Sequence, residues 1–412
     1  MHITILAFGT RGDIQPFVAL GRGLQAAGHI VRVVTQADFC AFVSDYGLDC
    51  APVSVDLRAA WEAQKKPGVD LPAMYRVARQ YLGRALNEMW AACNAAEALV
   101  FNYMGRIPGL HLVEKLRVPA YLGLIHPHQM DFFYHWRYFN NAGQPVINVK
   151  EGVIDRLMQI TYAGLINQWR RKTLNLRPAP LVGNDGWLAE WKIPALCSWS
   201  PAIFPKLPEW PDWFHLTGYW FLDHPATWQP PQDLVDFLAA GPPPVYVGFS
   251  GVTHLEIENM TEIIVQGLAL AQQRGILASG WSDLGKHVAL PETVYAAEAV
   301  PHDWLFPQLT VAVHHGGVGT TAAAFRAGIP SVVIPFVVDE PFWAGRVEQL
   351  GVGPAGIPPR QLTAERLAAA IQTALNDNSV KMRAANLGKR IRAEDGVARA
   401  VKLFQQYLPH SG

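Results

Sequence analysis

The sequence predicts an α/β protein with two Rossmann-like, doubly wound domains, and three observations support this prediction. The chain has 412 residues, too many for one hydrophobic core and suited to two domains of about 200 residues each. The first half opens with an apolar strand, a glycine turn, a helix and a second strand, which is the βαβ unit of a doubly wound domain. The second half restarts with another apolar strand in PPPVYVGFSGV, residues 242–252.

The composition favours an enzyme that acts on small molecules. Hydrophobic residues make up 50% of the chain and charged residues 17%, as in globular proteins rather than disordered ones. The 34 basic and 34 acidic residues balance, so no overall field attracts nucleic acid or anionic lipid. We therefore expect a small-molecule substrate and no nucleic-acid partner.

The absence of targeting signals in the sequence predicts a cytoplasmic protein. The first apolar stretch is much shorter than that of a signal peptide and has no basic region before it. No window reaches the roughly 20 apolar residues of a membrane-spanning helix, which leaves only peripheral membrane contact open. Cys40, Cys50, Cys93 and Cys197 show neither a CxxC pair nor metal-ligand spacing, so a reducing cytosol is the simplest setting.

The first glycine turn, residues 9–13, follows the predicted strand 2–8 and leads to Pro16, which suits the first turn of a helix ending at Gly28. A dinucleotide-binding dehydrogenase opens in the same way. It needs G-x-G-x-x-G and an acidic residue about 20 positions later. Here the spacing is Gly9-x-x-Gly12 and residues 35–37 carry no carboxylate, so this alternative is weak.

Further helices and strands alternate through the rest of the first half. Helical patterns cover 37–47, 70–97 and 107–116, and strand patterns cover 50–54, 98–102 and 119–124. The segment 126–140, HPHQMDFFYHWRYFN, either lines an apolar acceptor pocket or packs beneath a loop. Its histidines lack the spacing of a metal site, so no metal is expected.

A segment rich in proline and tryptophan, residues 197–225, separates the two halves and predicts a linker. We place the boundary within about ten residues of Asp223. The predicted domains are 1–222 and 241–395, with 223–240 as the linker and a last helix in 396–412.

The most informative stretch of the chain is VAVHHGGVGTTAAAFRAGIPSVVIPFVVDEPFWAGR, residues 311–346. A buried strand, 311–313, ends in a glycine turn, and a helix follows until Gly328. The first N–H groups of that helix lack partners and face the turn, which predicts an anion site for phosphate. The next strand, 331–336, ends near Asp339 and Glu340 at the same sheet edge. Phosphate binding beside paired carboxylates suits a nucleotide sugar.

HHGGVGTT followed by DEPFWAGR resembles the donor signature of inverting GT-B glycosyltransferases of family 1. The branch is the one that contains sterol 3-beta-glucosyltransferases and glycopeptide or macrolide antibiotic glycosyltransferases. GTRGDIQP, HLTGYWF and VPHDWLFP resemble the same branch, so the resemblance covers nearly the whole chain. It implies two Rossmann-like domains that face a central cleft, an N-terminal acceptor domain, a C-terminal donor domain and a last helix that returns to the first domain.

The resemblance also implies the site residues. Asp13 is the expected catalytic base, with His126 as a coupled histidine; the alternative is that Asp13 only caps a helix. The expected donor-binding residues are Gly12, Ser250, Gly251, Trp281, Val300, His314, Gly316, Gly317, Val318, Gly319, Thr320, Thr321, Asp339 and Glu340. The expected acceptor-binding residues are Arg11, His128, Phe132, Phe133 and Trp136.

The predicted reaction is inverting, metal-independent transfer of a hexose, with glucose as the expected sugar, from a UDP- or dTDP-sugar to a hydroxyl of an apolar acceptor. Sterols, polyketides and flavonoids all remain open as acceptors, and no tightly bound cofactor is expected. Glu340 stands where the family usually has glutamine, which places the glucose preference in doubt. The alternatives are a dTDP-deoxysugar transferase and a non-catalytic nucleotide-sugar or lipid-binding protein. A monomer or weak dimer is expected.

Overall fold

The computed structural model describes two compact units. Unit 1 consists of Met1–Tyr138, Val146–Leu222 and Asp395–Gly412, and unit 2 consists of Phe139–Pro145 and Asp223–Glu394. Each unit contains a parallel sheet with helices, so the predicted α/β class with two doubly wound domains is confirmed. The described residues are 1–54, 71–127, 137–139, 145–147, 160, 162–180, 186–208, 210–249, 257–278, 284–285, 289–298, 300–336 and 339–408.

Unit 1 is built on a seven-stranded sheet whose paired strands are all parallel, in the order β3-β2-β1-β4-β5-β8-β9. Its strands are β1 (His2–Leu6), β2 (Ile30–Gln36), β3 (Asp49–Val53), β4 (Ala98–Asn102), β5 (Ala120–Leu124), β8 (Ala195–Cys197) and β9 (Phe214–Leu216). Two short strands, β6 (Arg137–Phe139) and β7 (Pro145–Ile147), pair with each other. The central strands are continuous apolar runs because helices cover both faces of a parallel sheet.

The helices of unit 1 follow the alternation that the sequence predicts. They are Arg11–Ala26, Cys40–Asp45, Leu71–Cys93, Arg106–Leu116, Gly186–Glu190 and Gly396–Gln406, with helical residues 162–169 that continue as a π-helical turn, Arg170–Leu174. The first helix begins at Arg11, five residues before the predicted start at Pro16. Pro16 therefore lies inside the helix, where its missing N–H leaves the Gly12 carbonyl without its intrahelical donor.

Cys40 and Cys50 form a disulfide, which the expectation of a reducing cytosol did not include. Cys40 begins a short helix, Cys50 lies in β3, and the packing of this helix on the strand brings the two thiols together. Cys93 and Cys197 are free and buried, and burial raises the pKa of the Cys93 thiol to about 12.

The last helix, Gly396–Gln406, packs against the first helix of unit 1. A side chain at Gly23 would come within 2.3 Å of Val397, so glycine allows the two helices to approach closely. The Tyr121 ring stacks on Phe404 with centroids 4.3 Å apart, and its hydroxyl donates to the Phe404 carbonyl over 2.7 Å. The C-terminal segment is therefore part of unit 1.

Unit 2 has a five-stranded parallel sheet in the order β12-β11-β10-β13-β14. Its strands are β10 (Val245–Gly248), β11 (Gly275–Ala278), β12 (Val294–Ala297), β13 (Val311–His314) and β14 (Ser331–Val333). Its helices are Gln232–Ala239, Ile257–Leu270, His302–Leu305, Val318–Ala327, Glu340–Gln349, Ala364–Asn376 and Asn378–Arg392. The segment 223–240, predicted to be a linker, thus contains a helix and belongs to unit 2. No helix among the described residues is long and apolar enough to cross a membrane.

Candidate active site

The glycine turn after β1 is held by two amide side chains from neighbouring strands. The Gln36 amide, at the end of β2, donates to the Gly9 carbonyl over 2.7 Å and accepts from the Gly9 N–H over 3.3 Å. The Asn102 amide, at the end of β4, donates to the Phe8 carbonyl over 2.7 Å. Sequence reasoning missed both residues, although a polar residue that ends an apolar strand was a readable signal.

Asp13 lies in the first turn of the helix Arg11–Ala26 and takes part in its capping. Its Oδ2 accepts from the Thr10 N–H over 2.8 Å and from the Thr10 hydroxyl over 2.9 Å, as in a capping box. Gly9 has φ +130°, and a side chain there would come within 2.4 Å of the Asp13 carboxylate. Asp13 therefore makes the capping contacts that the alternative interpretation requires, and the glycine turn leaves room for its carboxylate.

The other predicted residues of unit 1 that the structure describes lie at the same sheet edge. His126 lies two residues after β5 and is 8% exposed. Because β1 and β5 both flank β4 in parallel, Asp13 and His126 follow strand ends on one edge. The guanidinium of Arg11 lies 4.6 Å from the Phe42 ring centroid, and Gly12 lies in the same helical turn. His128, Phe132, Phe133 and Trp136 lie outside the described residues.

The glycine turn of unit 2 joins β13 to the helix Val318–Ala327. Gly316 has φ +99°, and a side chain there would come within 2.9 Å of the Val333 side chain and 3.1 Å of the Glu340 carbonyl. Gly317 is the residue before the helix, and Gly328 ends it in a left-handed conformation. The turn therefore packs against the start of the helix Glu340–Gln349, as the shared sheet edge predicted.

The N-terminus of the helix Val318–Ala327 presents backbone donors. The N–H of Thr321 bonds to the Gly317 carbonyl over 3.0 Å, whereas the preceding N–H groups lie too early in the helix for such a partner. No heavy atom of the described residues lies within 4 Å of a side chain built at Gly319. The Thr321 hydroxyl donates to the Gly317 carbonyl over 2.9 Å and is fully buried, so it supports the turn itself.

The imidazole of His314 is fully buried and its tautomer follows from its contacts. Nδ1 accepts from the Gly316 N–H over 3.1 Å, so the neutral ring carries its proton on Nε2. Nε2 is buried and has no hydrogen-bond partner among the described residues. Burial, followed by the nearby His315 and His302, lowers the pKa of His314 to about 3. His314 is thus a neutral hydrogen-bond donor with an unused proton.

His315, the next residue, is 8% exposed and lies against the same turn. A side chain at Gly317 would come within 2.3 Å of its Nε2. Burial lowers its pKa, while the neighbouring Asp339 carboxylate and the Gly248 backbone oppose that shift. His315 therefore connects the turn to the end of β10 and to Asp339.

Asp339 and Glu340 each accept a hydrogen bond from a nearby residue. The Trp343 indole N–H donates to Asp339 over 3.0 Å, and the Phe336 N–H donates to Glu340 over 2.5 Å. Glu340 is only 7% exposed. Asp339 precedes the helix Glu340–Gln349 and Glu340 begins it, and the N-terminus of a helix favours negative charge.

The remaining predicted donor residues are described only in part. Val300 is partly buried and packs against the core cluster that includes Tyr246 and Phe306. Ser250, Gly251 and Trp281 lie outside the described residues. Among the residues that the structure does describe, no group of three or more His, Cys, Asp or Glu side chains could hold a metal ion.

Solved structures of glycosyltransferases share this fold. CalG4, the calicheamicin glycosyltransferase, aligns with a TM-score of 0.72 and 19% identity, covering 100% of this chain and 99% of its own. VinC, a glycosyltransferase solved in complex with dTDP, aligns with a TM-score of 0.68 and 20% identity, covering 98% and 99%. At this level of identity, the likeness shows the GT-B fold alone.

Sequence comparisons match both halves of the chain to family models. The model of the glycosyltransferase family 28 N-terminal domain matches residues 3–119, and that of the erythromycin biosynthesis protein CIII-like C-terminal domain matches residues 276–402. The Arabidopsis thaliana sterol 3-beta-glucosyltransferase UGT80A2 is 36% identical over 431 residues and covers 99% of this chain. The N-terminal half therefore matches a glycosyltransferase family model, and the whole chain has the GT-B fold.

The sterol 3-beta-glucosyltransferase relatives are longer than this chain. The chain covers 66% of UGT80A2. It covers 30% of the Emericella nidulans sterol 3-beta-glucosyltransferase, to which it is 33% identical over its whole length. The predicted resemblance and the GT-B fold are confirmed, whereas the roles of individual residues remain predictions.

Proposed function

We propose that this protein of the GT-B fold transfers glucose from UDP-glucose to the hydroxyl of a sterol or a similar apolar acceptor, with inversion at the anomeric carbon. The observation that carries the proposal is the turn after β13. There, His314 ends the strand, its buried Nε2 has no hydrogen-bond partner among the described residues, and the helix Val318–Ala327 begins four residues later. A neutral imidazole N–H and backbone N–H groups at the same turn are suited to binding a diphosphate. The sterol 3-beta-glucosyltransferase relatives support the choice of sugar and acceptor.

In the proposed reaction, Asp13 accepts the proton of the acceptor hydroxyl while the acceptor oxygen attacks the anomeric carbon. The bond from that carbon to the phosphate oxygen breaks, and the nucleoside diphosphate leaves with the electron pair. A carboxylate is a weak base for an alcohol, so proton transfer accompanies C–O bond formation. The contacts from Thr10 orient the carboxylate, and His126 is the proposed coupled histidine. A single displacement gives inversion.

The charge that develops on the diphosphate is stabilised by the N–H groups of Val318, Gly319 and Thr320 and by Nε2–H of His314. These groups are fixed before the reaction, so they need no reorganisation as charge develops. We propose that these donors suffice without a metal ion. Gly316, Gly317 and Thr321 shape the turn, and Thr321 does so through its bond to the Gly317 carbonyl.

The sugar hydroxyls are proposed to donate to Asp339 and Glu340. The bonds from Trp343 and Phe336 fix the orientation of each carboxylate, which leaves acceptor capacity for the sugar. Two carboxylates repel a donor that carries its own carboxylate, so a uronic acid is disfavoured. Glu340 stands where the family usually has glutamine, so a dTDP-deoxysugar is the second candidate donor.

The remaining roles are proposals that follow from the family. Val300 and Trp281 are proposed to contact the nucleobase, and Gly12, Ser250 and Gly251 the donor phosphates. Arg11, His128, Phe132, Phe133 and Trp136 are proposed to line the acceptor pocket. A cytoplasmic location and a monomer or weak dimer are also proposed.

A thermal-shift titration tests the donor assignment. UDP, UDP-glucose, dTDP and dTDP-glucose are compared on the wild type and on His314→Ala, because a ligand of the native state raises the melting temperature. The proposal expects UDP-glucose to stabilise the wild type and to lose most of this effect in the variant. Stabilisation by dTDP-glucose alone would favour the deoxysugar transferase. No shift with any of the four ligands would remove the donor assignment.

A further inference from the structure

Two indole rings form a stacked pair on the surface of unit 1. The Trp187 and Trp191 centroids are 5.1 Å apart with an interplanar angle of 20°. Beneath them, the Trp187 ring meets His111 at 5.5 Å and the Arg170 guanidinium at 5.7 Å. Trp191 is 36% exposed. One ring is thus held by the protein, and it supports a second ring that faces outward.

The support for this pair is a buried polar cluster centred on Arg170. The Arg170 side chain is 2% exposed and forms two bonds to the Glu114 carboxylate, at 2.6 and 3.1 Å. Its Nε donates to the Arg177 carbonyl over 2.8 Å, and Nδ1 of His111 lies 2.9 Å from its Nη1. The bonds of Arg170 join segments 114–117 and 170–177, and the contacts of the Trp187 ring with His111 and Arg170 add segment 187–192.

The same three segments carry an excess of positive charge. Their basic side chains other than Arg170 are partly or fully exposed, and none has a hydrogen bond or ion pair within the part of the chain that the structure describes: Lys115, Arg117, Arg171, Lys172, Arg177 and Lys192. The carboxylates on these segments are Glu114, which Arg170 engages, and Glu190. The whole chain is balanced at 34 basic and 34 acidic residues, so this excess is local.

We propose that this face, defined as Trp191 and the six cations of the three segments, docks on an anionic lipid bilayer. An indole favours the boundary between headgroups and acyl chains, and lysine and arginine favour the negative surface potential of anionic lipids. Each cation near such a surface strengthens binding about fivefold. The docking brings unit 1, which carries Asp13, to the surface in which an apolar acceptor dissolves.

Vesicle co-sedimentation tests the docking directly. The full chain is mixed with phosphatidylcholine vesicles, with or without a third of phosphatidylglycerol, at low and high salt. We expect binding to the anionic vesicles alone and its loss at high salt, since surface charges are screened. Failure to bind anionic vesicles would overturn the proposal. This result is also expected if the face instead binds an acidic protein.

Variants separate this face from the overall charge. Lys172→Glu/Lys192→Glu is expected to weaken binding at least tenfold, and Trp191→Ala to weaken it severalfold. The control is Lys389→Glu/Arg390→Glu, which makes the same charge change at exposed residues of the helix Asn378–Arg392 in unit 2. Equal losses in the two double variants would contradict a specific face. Circular dichroism and melting temperature confirm that each variant is folded.

A second experiment rests on the proposed function and distinguishes the docking proposal from that function. Glucosylation of cholesterol is measured in anionic vesicles and with a soluble cyclodextrin carrier. The Lys172→Glu/Lys192→Glu variant is expected to lose turnover at least fivefold in vesicles and to keep it with the carrier. Absence of turnover in both media, with vesicle binding intact, would contradict the proposed function and leave the docking face standing. Equal turnover of wild type and variant in vesicles would contradict the role of docking in acceptor delivery.

Discussion

The backbone N–H of Gly316 donates to Nδ1 of His314 over 3.1 Å, and this contact assigns the ring's proton to Nε2. The neutral ring then presents a buried N–H that has no partner among the described residues. A neutral donor can stabilise a diphosphate, and its own protonation state does not change near neutral pH. The charge state of His314 therefore has consequences that can be measured.

The affinity for UDP-glucose is expected to stay flat between pH 5.5 and 8. The pKa of His314 is lowered to about 3, so the ring remains neutral throughout this range. Isothermal titration calorimetry at several pH values measures the dissociation constant. Tightening of about tenfold as the pH falls through 6.5 would instead show that an imidazolium binds the diphosphate.

Stability is expected to fall as the pH is lowered from 6.5 to 5. His111 and His314 each have a pKa near 3 in the folded chain and an ordinary value of 6.5 when unfolded, so the unfolded state binds more protons in this range. Each contributes a loss of about 2 kcal/mol. Urea denaturation at the two pH values measures this difference, and the variant His314→Gln should show a shallower dependence. An identical slope in the variant would contradict the burial of His314 as a neutral ring.

Two glycine variants separate the shape of the turn from its role in binding. Gly319→Ala is expected to keep or raise the melting temperature, because alanine favours helices by about 0.5–1 kcal/mol and open space surrounds that position within the described residues. It should nevertheless weaken UDP-glucose binding, since the added methyl group would lie where we propose that the diphosphate binds. Thermal melts and calorimetry measure both quantities. Full affinity in a stable Gly319→Ala protein would place the diphosphate elsewhere.

Gly316→Ala is the matched comparison. Its φ of +99° disfavours any side chain, and the Val333 methyl group would lie 2.9 Å away. We expect a loss of stability of about 1–3 kcal/mol, together with loss of donor binding. A melting temperature equal to the wild type would contradict the strained geometry of this turn.

The Cys40–Cys50 disulfide determines how many cysteine thiols can react with an alkylating reagent. Alkylation of the denatured, unreduced protein should label Cys93 and Cys197 only, and reduction should expose two further thiols. Loss of the crosslink in Cys40→Ser/Cys50→Ser should cost about 2–3 kcal/mol, the value for a short closed loop. Mass spectrometry and urea denaturation measure these outcomes. Four labelled thiols before reduction would contradict the crosslink.

The elements with strong local signals could be predicted from the sequence. The strand Val311–His314, its glycine turn and the helix that ends at Gly328 all follow from apolar runs and glycine positions. The start of the first helix could not be placed, because the capping contact between Thr10 and Asp13 outweighs the signal of Pro16. The Cys40–Cys50 pairing also could not be predicted, since it depends on how a short helix packs on β3.

The support around the predicted residues depends on contacts between distant parts of the chain. Gln36 and Asn102 hold the first turn from strands 27 and 94 residues away in sequence, and no local pattern states this. A contact to Glu340 is local by comparison, since it comes from the backbone N–H of Phe336 four residues earlier, but a backbone donor leaves no mark in the sequence. Sequence motifs thus identified candidate side chains, while their positioning partners required the fold.

The most direct test of the central claim is product formation by wild type and Asp13→Asn with UDP-glucose and cholesterol. The wild type is predicted to form the β-glucoside, identified from its anomeric proton coupling, because a single displacement inverts the α-linked donor. Asp13→Asn keeps an oxygen that can accept from the Thr10 N–H, so it should fold and bind UDP-glucose normally while turnover falls about 100-fold or more. Thr10→Ala removes the hydroxyl contact and keeps the backbone N–H contact to Asp13, so it should lose stability and lower turnover far less than Asp13→Asn. Full turnover by Asp13→Asn, or an α-glucoside from the wild type, would contradict the account.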